Sequence, residues 1–525
     1  MSVVHEQPDD GVEVPDLAHR LRATAAEHGD RDALVYDGLR LTYAELHARV
    51  DRATALLQEL GVGPGDRVAL VLGNVPAFVE VYAATLRAGA AIVPLLPGLA
   101  PDELRHALAD SGAKVAVVGP ERAVEVAQLA GDLDDLEHLL AVDAPDVDAA
   151  DWAEAVRRPG DPTPVERAPE DLAALVYTSG TTGRPKGAAL TRANLSANQS
   201  QSLAGRFEVG ADDVVLLVLP LAHIYALNVG LGACIASGAT MLLVERFDPE
   251  QTLQAMAEHG ATVVLGAPPM YVAWLEGGHL GDEPPGHPGL AEVRLAVSGA
   301  APLPLPVLHR FTEATGIVIE EGYGLTEASP SVTSNAMAPR PRPGSVGLAL
   351  PEVELRIVRG DGTDVEVGDP GEVWVRGPNV FEGYWGDDEA TAAALTPDGW
   401  LKTGDVGTLD EDGFLYLVDR LRDLILVNGF NVYPREVERV LLGDESVAQA
   451  AVVGEPDPRS GERVVAHVVP RAGAEVDVAA LEERCRRLLA RYKQPSRIEV
   501  ADSVPTTATG KVRRRLLRGE DAPEG

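Results

Sequence analysis

The sequence predicts an α/β protein in which helices cover mostly parallel sheets, followed by a small antiparallel barrel and a small α+β domain. Three observations lead to this prediction. From about residue 15 to residue 340, helical periodicity alternates with short, fully apolar strands, a pattern typical of parallel sheets buried on both faces. From residue 344 the pattern becomes strand, turn, strand. The last hundred residues form a separate mixture of helices and strands.

The alternating region begins with an amphipathic stretch that ends at Gly61, a residue type favoured at helix ends. In chain order its segments are helical "TYAELHARVDRATALLQELG", strand "DRVALVL", helical "VPAFVEVYAATLRAG", strand "AAIVPLL", helical "DELRHALADSG", and the strands "AKVAVVG", "DLAALVY", "DVVLLVLP", "ATMLLVE", "ATVVLG" and "VRLAVSG". The barrel is predicted from "SVGLALPEVELRIVRGDGTDVEVGDPGEVWVRGP".

The C-terminal hundred residues predict an α+β domain. Its strands are "LILVN", "VAQAAVVGE", "ERVVAHVVP" and "RIEVAD", and its first helix is "PREVERVLLG". A second helix is predicted over residues 477–492 because the apolar residues recur at helical spacing. Its apolar face consists of Val478, Leu481, Cys485, Leu488 and Tyr492.

Length and composition limit the possible functions. A chain of 525 residues is too long for one hydrophobic core and should divide into several domains. The net charge of −36 disfavours nucleic acid and anionic membrane as partners. No apolar run approaches the length of a membrane span, and the acidic N-terminus lacks a signal pattern, so a cytoplasmic protein without stable membrane insertion is expected. Cys234 and Cys485 are predicted to be small core residues.

Lysine is rare in this chain, since only five of its 45 basic residues are lysines. They are Lys114, Lys186, Lys402, Lys493 and Lys511. Arginine therefore supplies almost every positive charge. A lysine in a candidate site indicates that a compact, rotatable ammonium is needed there, because the two side chains are not interchangeable at a reacting phosphate.

A loop without bulky side chains follows one apolar strand in "LVYTSGTTGRPKG". Its glycines allow close approach of the backbone to a ligand, and its amides and hydroxyls can surround phosphate oxygens. It is not a Walker A loop, because that motif requires G-x-x-x-x-G-K-[ST]. Taken alone, the loop is equally compatible with a mobile surface turn.

Seven motifs in order resolve this ambiguity. They are "YTSGTTGRPKG", "LPLAHIYAL", "SGAAP", "EGYGLTEASP", "GWLKTGD", "DRLRDLILVNGFNVYPREVE" and "TATGK". With them the sequence resembles the adenylate-forming superfamily of acyl-CoA synthetases, luciferases and adenylation domains, from about residue 30 to residue 517. The resemblance implies two helix-covered sheets plus a barrel in a large domain (15–421) and a mobile small domain (422–518), with a disordered tail at 1–14 and another tail at 519–525. It also implies ATP, Mg²⁺ and CoA as cofactors and a monomer or homodimer.

The resemblance assigns roles residue by residue. The ATP- or AMP-binding positions are Thr178, Ser179, Gly180, Thr181, Thr182, Gly183, Lys186, Gly299, Ala300, Ala301, Pro302, Gly322, Tyr323, Gly324, Thr326, Asp405 and Arg420. Within this set Tyr323 would stack on adenine, and Asp405 and Arg420 would hold the ribose. Glu327 would bind Mg²⁺, a hard cation that prefers carboxylate and phosphate oxygens. The implied catalytic residues are Lys511, His223, Thr326 and Glu327.

Lys511 is predicted to catalyse only the first half-reaction. In adenylation a carboxylate attacks the α-phosphorus and pyrophosphate leaves, so an ammonium that bridges both anions offsets their repulsion. Thioester formation needs the same space for a thiol. A rotation of the small domain about Arg422 would provide it, and Gly429 and Phe430 would then line the CoA channel. The family usually has aspartate or lysine at the hinge, so Arg422 departs from the pattern.

The acid itself is less well determined. His223, Ala226, Gly230 and Ala328 are predicted to line the acyl pocket, whose small apolar residues favour a hydrophobic tail. The run "VDRLRDLILVNGFNVYPREVE" looks like medium- and long-chain fatty-acyl-CoA ligases, whereas "HIYALN" looks like coumarate-type aryl-CoA ligases. A fatty acid is favoured. An enzyme that passes its acyl group to a carrier protein or an amine, and a non-catalytic nucleotide-binding regulator, are the alternatives.

Overall fold

The computed structural model describes residues 17–519 except 159, 164, 179–183, 282–283, 429, 458, 472 and 507–511. The predicted tail at 1–14 lies outside the described residues, as do 520–525. None of the described helices has both the length and the hydrophobicity required to span a bilayer.

The helices and strands follow one another as the periodicity predicts. The strands of the large domain are β1 (Asp32–Tyr36), β2 (Leu39–Thr42), β3 (Arg67–Val71), β4 (Ala91–Leu95), β5 (Val115–Val118), β6 (His138–Ala141), β7 (Ala150–Asp151), β8 (Leu172–Thr178), β9 (Lys186–Thr191), β10 (Val214–Leu217), β11 (Thr240–Leu243), β12 (Val263–Gly266), β13 (Leu295–Ser298), β14 (Ile319–Gly324), β15 (Ser331–Ser334), β16 (Leu348–Ala349), β17 (Glu354–Val358), β18 (Gly371–Arg376), β19 (Gly383–Tyr384), β20 (Leu401–Leu409) and β21 (Leu415–Arg420). Its α-helices are α1 (Leu17–His28), α2 (Tyr43–Glu59), α3 (Pro76–Arg87), α4 (Pro101–Ser111), α5 (Ala123–Leu129), α6 (Trp152–Ala155), α7 (Arg192–Ser202), α8 (Ala233–Ser237), α9 (Pro249–His259), α10 (Pro268–Glu276), α11 (Leu305–Thr315) and α12 (Asp388–Ala394).

Two large sheets form the frame of this domain. The nine-stranded sheet has the order β16-β15-β14-β13-β12-β10-β11-β1-β2, and the eight-stranded sheet has the order β19-β9-β8-β4-β3-β5-β6-β7. Their central strands are parallel, while antiparallel pairs occur at the edges. The prediction of helix-covered, mostly parallel sheets is confirmed.

Strand β3 shows why the apolar runs lack alternation. Val68 and Leu70 belong to a core cluster shared with α2, α3 and the nine-stranded sheet. Ala69 and Val71, on the opposite face, pack in a second cluster with α4 and α5. Since successive side chains of a strand point to opposite faces, a sheet covered on both sides needs apolar residues at every position.

The region predicted as a barrel is a four-stranded antiparallel sheet with the order β17-β18-β20-β21. One strand of this part of the chain, β19, leaves it and pairs with β9 of the eight-stranded sheet, with Tyr384 opposite Ala188. This pairing brings Tyr384 and the residues after it beside Lys186, the first residue of β9.

The C-terminal domain contains β22 (Ile425–Val427), β23 (Phe430–Val432), β24 (Val447–Asp457), β25 (Gly461–Pro470) and β26 (Arg497–Val500), with α13 (Pro434–Leu442), α14 (Val478–Leu488) and α15 (Arg514–Leu517). Its core includes Leu481 and Cys485, so this cysteine is buried as predicted, and Cys234 is fully buried in the large domain. The prediction for Leu488 was wrong, because 51% of this residue is exposed. Helix α14 ends there, and the next residue, Leu489, turns into the core instead.

The two domains are joined by a single turn of 3₁₀ helix, Leu421–Asp423. Asp423 accepts a hydrogen bond from Arg514 of α15 at 3.1 Å, so the turn is tied to the small domain. On the other side, Asp419 of β21 accepts a hydrogen bond from the backbone N–H of Arg435 at 2.8 Å. The predicted hinge residue, Arg422, lies in the middle of this turn.

Candidate active site

A cavity of about 750 Å³ opens where β8, β13 and β14 end. Ligands bind at this position in open α/β sheets, because the loops after the strand ends are free to diverge. The cavity also receives residues from β19, from the start of α12, from β20 and from the interdomain turn. It is therefore the place where the large sheets, the small sheet and the interdomain turn meet.

The two residues that flank the glycine-rich loop lie at the cavity. Thr178 and Lys186, the residues that flank this loop, line the cavity. Ser179, Gly180, Thr181, Thr182 and Gly183 lie outside the described residues. The Lys186 ammonium forms an ion pair with Asp387 at 2.9 Å and lies over the Tyr384 ring, 5.6 Å from its centroid.

Glu327 and Thr326 line the same cavity, from a short 3₁₀ turn after β14. The Tyr384 hydroxyl donates a hydrogen bond of 2.7 Å to Glu327 Oε1. Burial, and then the Glu327 charge, raise the pKa of Tyr384 far above its usual value, so the phenol stays protonated and remains a donor. Sequence reasoning missed Tyr384, because nothing in "FEGYWG" indicates that it pairs with a distant strand.

A buried network lies farther along the cavity. Asp405 is 5% exposed; its Oδ2 accepts a hydrogen bond from the Tyr323 hydroxyl at 2.7 Å, and its Oδ1 forms an ion pair with Arg420 Nε at 2.9 Å. The Asp405 charge is the largest cause of the raised pKa of Arg420. Each carboxylate oxygen keeps a further lone pair, so the network is able to accept additional hydroxyl donors.

The walls beside Tyr323 contain residues with little or no side chain. Gly299, Ala300, Gly322 and Gly324 line the cavity as predicted, together with Tyr323 and Arg420. Ala300 has a φ of +67°, in the left-handed region that residues other than glycine rarely adopt. The predicted residues Ala301, Pro302 and Asp405 are not among the lining residues. Asp405 instead contacts two of the lining residues, Tyr323 and Arg420.

The third part of the wall comes from the segment that begins at His223. This residue lines the cavity, and its Nδ1 accepts from the backbone N–H of Tyr225 at 3.3 Å, so the proton is on Nε2 whenever the imidazole is neutral. Residues Tyr225–Gly232 then form a π-helix, a rare structure that is frequent at functional sites.

The π-helix corrects the predicted acyl pocket. Ala226, Gly230 and Ala328 do not line the cavity, whereas Tyr225 and Val229 do. A Cβ on Gly230 would lie 2.8 Å from Leu217, so Gly230 faces the sheet and not the cavity. The prediction chose the small residues of this segment, and residue size alone did not indicate which side chains of the π-helix face the cavity.

Two hydroxyls near this wall have no hydrogen-bond partner among the described residues. They are Tyr225 Oη and Ser202 Oγ; both are buried, and both residues line the cavity. Apolar side chains also line the cavity, among them Phe207, Val229, Val297 and Leu350. Burial raises the pKa of Tyr225 well above its ordinary value, so its hydroxyl stays protonated.

The C-terminal domain contributes through the interdomain turn. Arg422 lines the cavity, beside Arg420. Phe430 is 58% exposed, does not line the cavity and packs against Tyr492 at a centroid distance of 4.9 Å. Gly429 and Lys511 lie outside the described residues, so their predicted roles in the thiol channel and in adenylation remain predictions.

Two family models match the sequence: "AMP-binding enzyme" over residues 21–385 and "AMP-binding enzyme C-terminal domain" over residues 436–511. The chain belongs to the AMP-binding enzyme family. It is similar to a feruloyl-CoA synthase from Amycolatopsis sp, with 41% identity over 504 residues and 95% of each chain covered. It is also similar to a long-chain-fatty-acid–CoA ligase from Bacillus subtilis (strain 168), with 34% identity over 95% of this chain and 94% of the relative.

A solved structure agrees with this assignment. ATP-bound MatB from Rhodopseudomonas palustris superposes with a TM-score of 0.89 at 33% identity, covering 96% of this chain and 99% of the other. The predicted superfamily and fold class are confirmed. The protein is an AMP-forming acyl-CoA ligase, and enzymes of this family use ATP, CoA and Mg²⁺.

The residues present fit these cofactors. Lys186 and the hydroxyl of Thr178 offer donors for phosphate, and Glu327 offers the one carboxylate that Mg²⁺ commonly takes when phosphates supply other ligands. No cluster of three or more metal-ligating side chains occurs in the described part of the chain.

Proposed function

We propose that this ligase activates an aromatic carboxylic acid with a polar ring substituent, of the hydroxycinnamate kind, and transfers the acyl group to CoA. In the first step a carboxylate oxygen bonds to the α-phosphorus of ATP and the bond to the β-phosphate breaks. In the second step a thiol sulfur attacks the acyl carbonyl, the thiol loses its proton, and AMP leaves. Each step needs a different arrangement around the same carbonyl.

The residues of this chain divide these tasks. Lys186 and Thr178 hold the β- and γ-phosphates, Glu327 holds Mg²⁺, and Tyr384 keeps the Glu327 carboxylate oriented by its 2.7 Å hydrogen bond. Asp405 and Arg420 bind the ribose, and Tyr323 packs on adenine beside the thin wall of Gly299 and Gly322. Bound Mg²⁺ supplies charge neutralisation of the phosphates. His223 Nε2–H donates to the substrate carboxylate and fixes its direction of approach.

The choice of an aromatic acid depends on one observation, the pair of buried hydroxyls of Tyr225 and Ser202 at the acyl end. A buried hydroxyl without a partner costs about 1–3 kcal/mol. A plain alkyl chain would leave both hydroxyls unpaired. A ring with hydroxyl or methoxy groups supplies donors and acceptors, while its carbon skeleton packs against Phe207, Val229, Val297 and Leu350.

Sequence reasoning favoured a medium- or long-chain fatty acid, and this remains the second candidate because a long-chain ligase is 34% identical over nearly the whole chain. Transfer to a carrier protein or an amine is the other alternative. A pyrophosphate-exchange screen over hydroxycinnamates, benzoates, fatty acids and amino acids, with CoA consumption measured in parallel, tests all three. Fastest exchange with a fatty acid, or exchange without CoA consumption, would overturn the proposal.

The Tyr225→Phe variant provides the residue-level test. It should reduce the preference for 4-hydroxycinnamate over unsubstituted cinnamate by about three- to tenfold, because this is the usual contribution of one hydrogen bond to binding. The preference is measured as the ratio of the kcat/KM values for the two acids. The matched control is Tyr271→Phe, because the Tyr271 hydroxyl already donates to the Val297 carbonyl at 2.7 Å. That control should lower stability and leave the ratio unaltered. An unaltered ratio in Tyr225→Phe would exclude a contact between this hydroxyl and the ring.

The hinge is tested by Arg422→Pro. Proline fixes φ, so the turn should no longer absorb a rotation between the half-reactions. Pyrophosphate exchange should persist while thioester production from acid, ATP and CoA falls by at least tenfold. Arg422→Ala removes the same side chain but keeps backbone freedom, and it should form more thioester than the proline variant. Equal loss of both half-reactions in Arg422→Pro would argue against a hinge at this residue.

A further inference from the structure

Asp387 occupies an unexpected position in the cavity. It follows β19, whose pairing with β9 continues through a 2.8 Å hydrogen bond from Trp385 N–H to the Gly187 carbonyl. These contacts fix the segment 383–387 directly beside Lys186, the first residue of β9. Asp387 and Lys186 both line the cavity, and their charged groups are 2.9 Å apart.

The Asp387 side chain is held in this position by a second interaction. Its Oδ1 accepts from the backbone N–H of Ala390 at 2.8 Å and so caps the N-terminus of α12, while Oδ2 faces Lys186. The Ala390 N–H and then Lys186 lower the pKa of Asp387, which keeps the carboxylate ionised at neutral pH. A capping carboxylate cannot follow a moving lysine. Any phosphate that binds Lys186 therefore meets a fixed negative charge.

We propose that Asp387 competes with the phosphates for Lys186 and so weakens retention of pyrophosphate after adenylation. This inference relies on the proposed role of Lys186 as a phosphate ligand. When pyrophosphate leaves, Asp387 re-forms the ion pair, and the lysine does not remain as an uncompensated cation. The pair limits product inhibition at the cost of weaker binding of the ATP polyphosphate.

The deciding variant is Asp387→Asn, because asparagine remains a good N-cap but carries no charge. Binding of inorganic pyrophosphate in the presence of Mg²⁺, measured by calorimetry on the full-length protein, should tighten about two- to fivefold, the range of a partly exposed ion pair. Product inhibition by pyrophosphate should strengthen by the same factor. If Asp387→Asn does not fold, Asp387→Ser keeps a capping hydroxyl and serves the same test.

Two further variants make the result specific. Asp388→Asn removes an equal charge one residue away, from an exposed side chain that does not line the cavity, and it should leave pyrophosphate binding within twofold of wild type. Lys186→Gln should weaken binding, and adding Asp387→Asn to it should then have no further effect. Wild-type binding by Lys186→Gln would refute the phosphate site itself. Weakened binding by Lys186→Gln, with unchanged or weaker binding by Asp387→Asn, would overturn only the competition.

Discussion

Lys511→Ala is expected to lower acid-dependent pyrophosphate exchange by about 10²–10³-fold, the usual cost of removing one positioned group that stabilises transition-state charge. Conversion of supplied acyl adenylate and CoA to thioester should persist. The reason is that only adenylation brings two anions together, the carboxylate and the α-phosphate. In thioester formation the thiol attacks the neutral acyl carbonyl of the acyl adenylate. This step therefore needs no ammonium between two negative groups.

The measurement compares the two half-reactions on the same preparation. Lys493→Ala is a matched control, since this lysine belongs to the same domain and its ammonium is bound by Glu436 at 2.7 Å. It should leave the exchange rate close to wild type. Retained exchange in Lys511→Ala would remove this lysine from the mechanism, and parallel loss of both half-reactions would indicate misfolding or a role in both steps.

Asp405→Ala is expected to weaken ATP binding at least 10²-fold and to destabilise the protein by about 3 kcal/mol. Asp405 is 5% exposed, forms an ion pair with Arg420 and accepts a hydrogen bond from the Tyr323 hydroxyl. Removing one member of such a pair leaves the other charge uncompensated, which typically costs about 3–5 kcal/mol; the lower value applies because the Arg420 side chain keeps 31% exposure. The ribose would also lose a charged acceptor.

The affinity for ATP is measured by calorimetry, and the free energy of unfolding is measured by denaturant unfolding. Asp405→Asn separates the two effects, because the amide keeps the shape and loses the charge. Tyr323→Phe removes a single hydrogen bond to the same carboxylate, so a loss of about 1 kcal/mol in stability is expected. If Asp405→Asn bound ATP as tightly as wild type, the carboxylate would not be a nucleotide ligand.

Local sequence was sufficient for those parts of the fold that depend on the backbone pattern. Helix α2 begins where Thr42 and Glu45 form a capping box, and it carries the apolar spacing that predicted it. The continuous apolar runs of β3 and β4 predicted strands that are buried on both faces, as observed. The end of α14 was not predictable in the same way, because nothing in the composition near Leu488 marks the change from helical to extended backbone.

Some residues of the candidate site were predicted from local sequence, and others were not. Residues within the seven motifs, such as His223, Tyr323, Glu327 and Lys186, were predicted and do line the cavity. Tyr384 and Asp387 were missed, because they reach Glu327 and Lys186 through a strand pairing between residues almost 200 positions apart in the sequence. Tyr225 and Val229 were missed because the predicted pocket was chosen from the small residues of this segment, whereas these two larger side chains of the π-helix line the cavity.

By itself, the sequence determined the alternation of helices and strands, the family and the chemistry of the main binding residues. These properties depend on short-range periodicity and on residue types in contiguous motifs. Only the tertiary structure decided which carboxylate faces Lys186, which residues with unpaired hydroxyls line the cavity and which hydroxyl donates to Glu327. Those contacts join distant segments, and their geometry depends on strand register and helix winding, which local residue patterns do not encode.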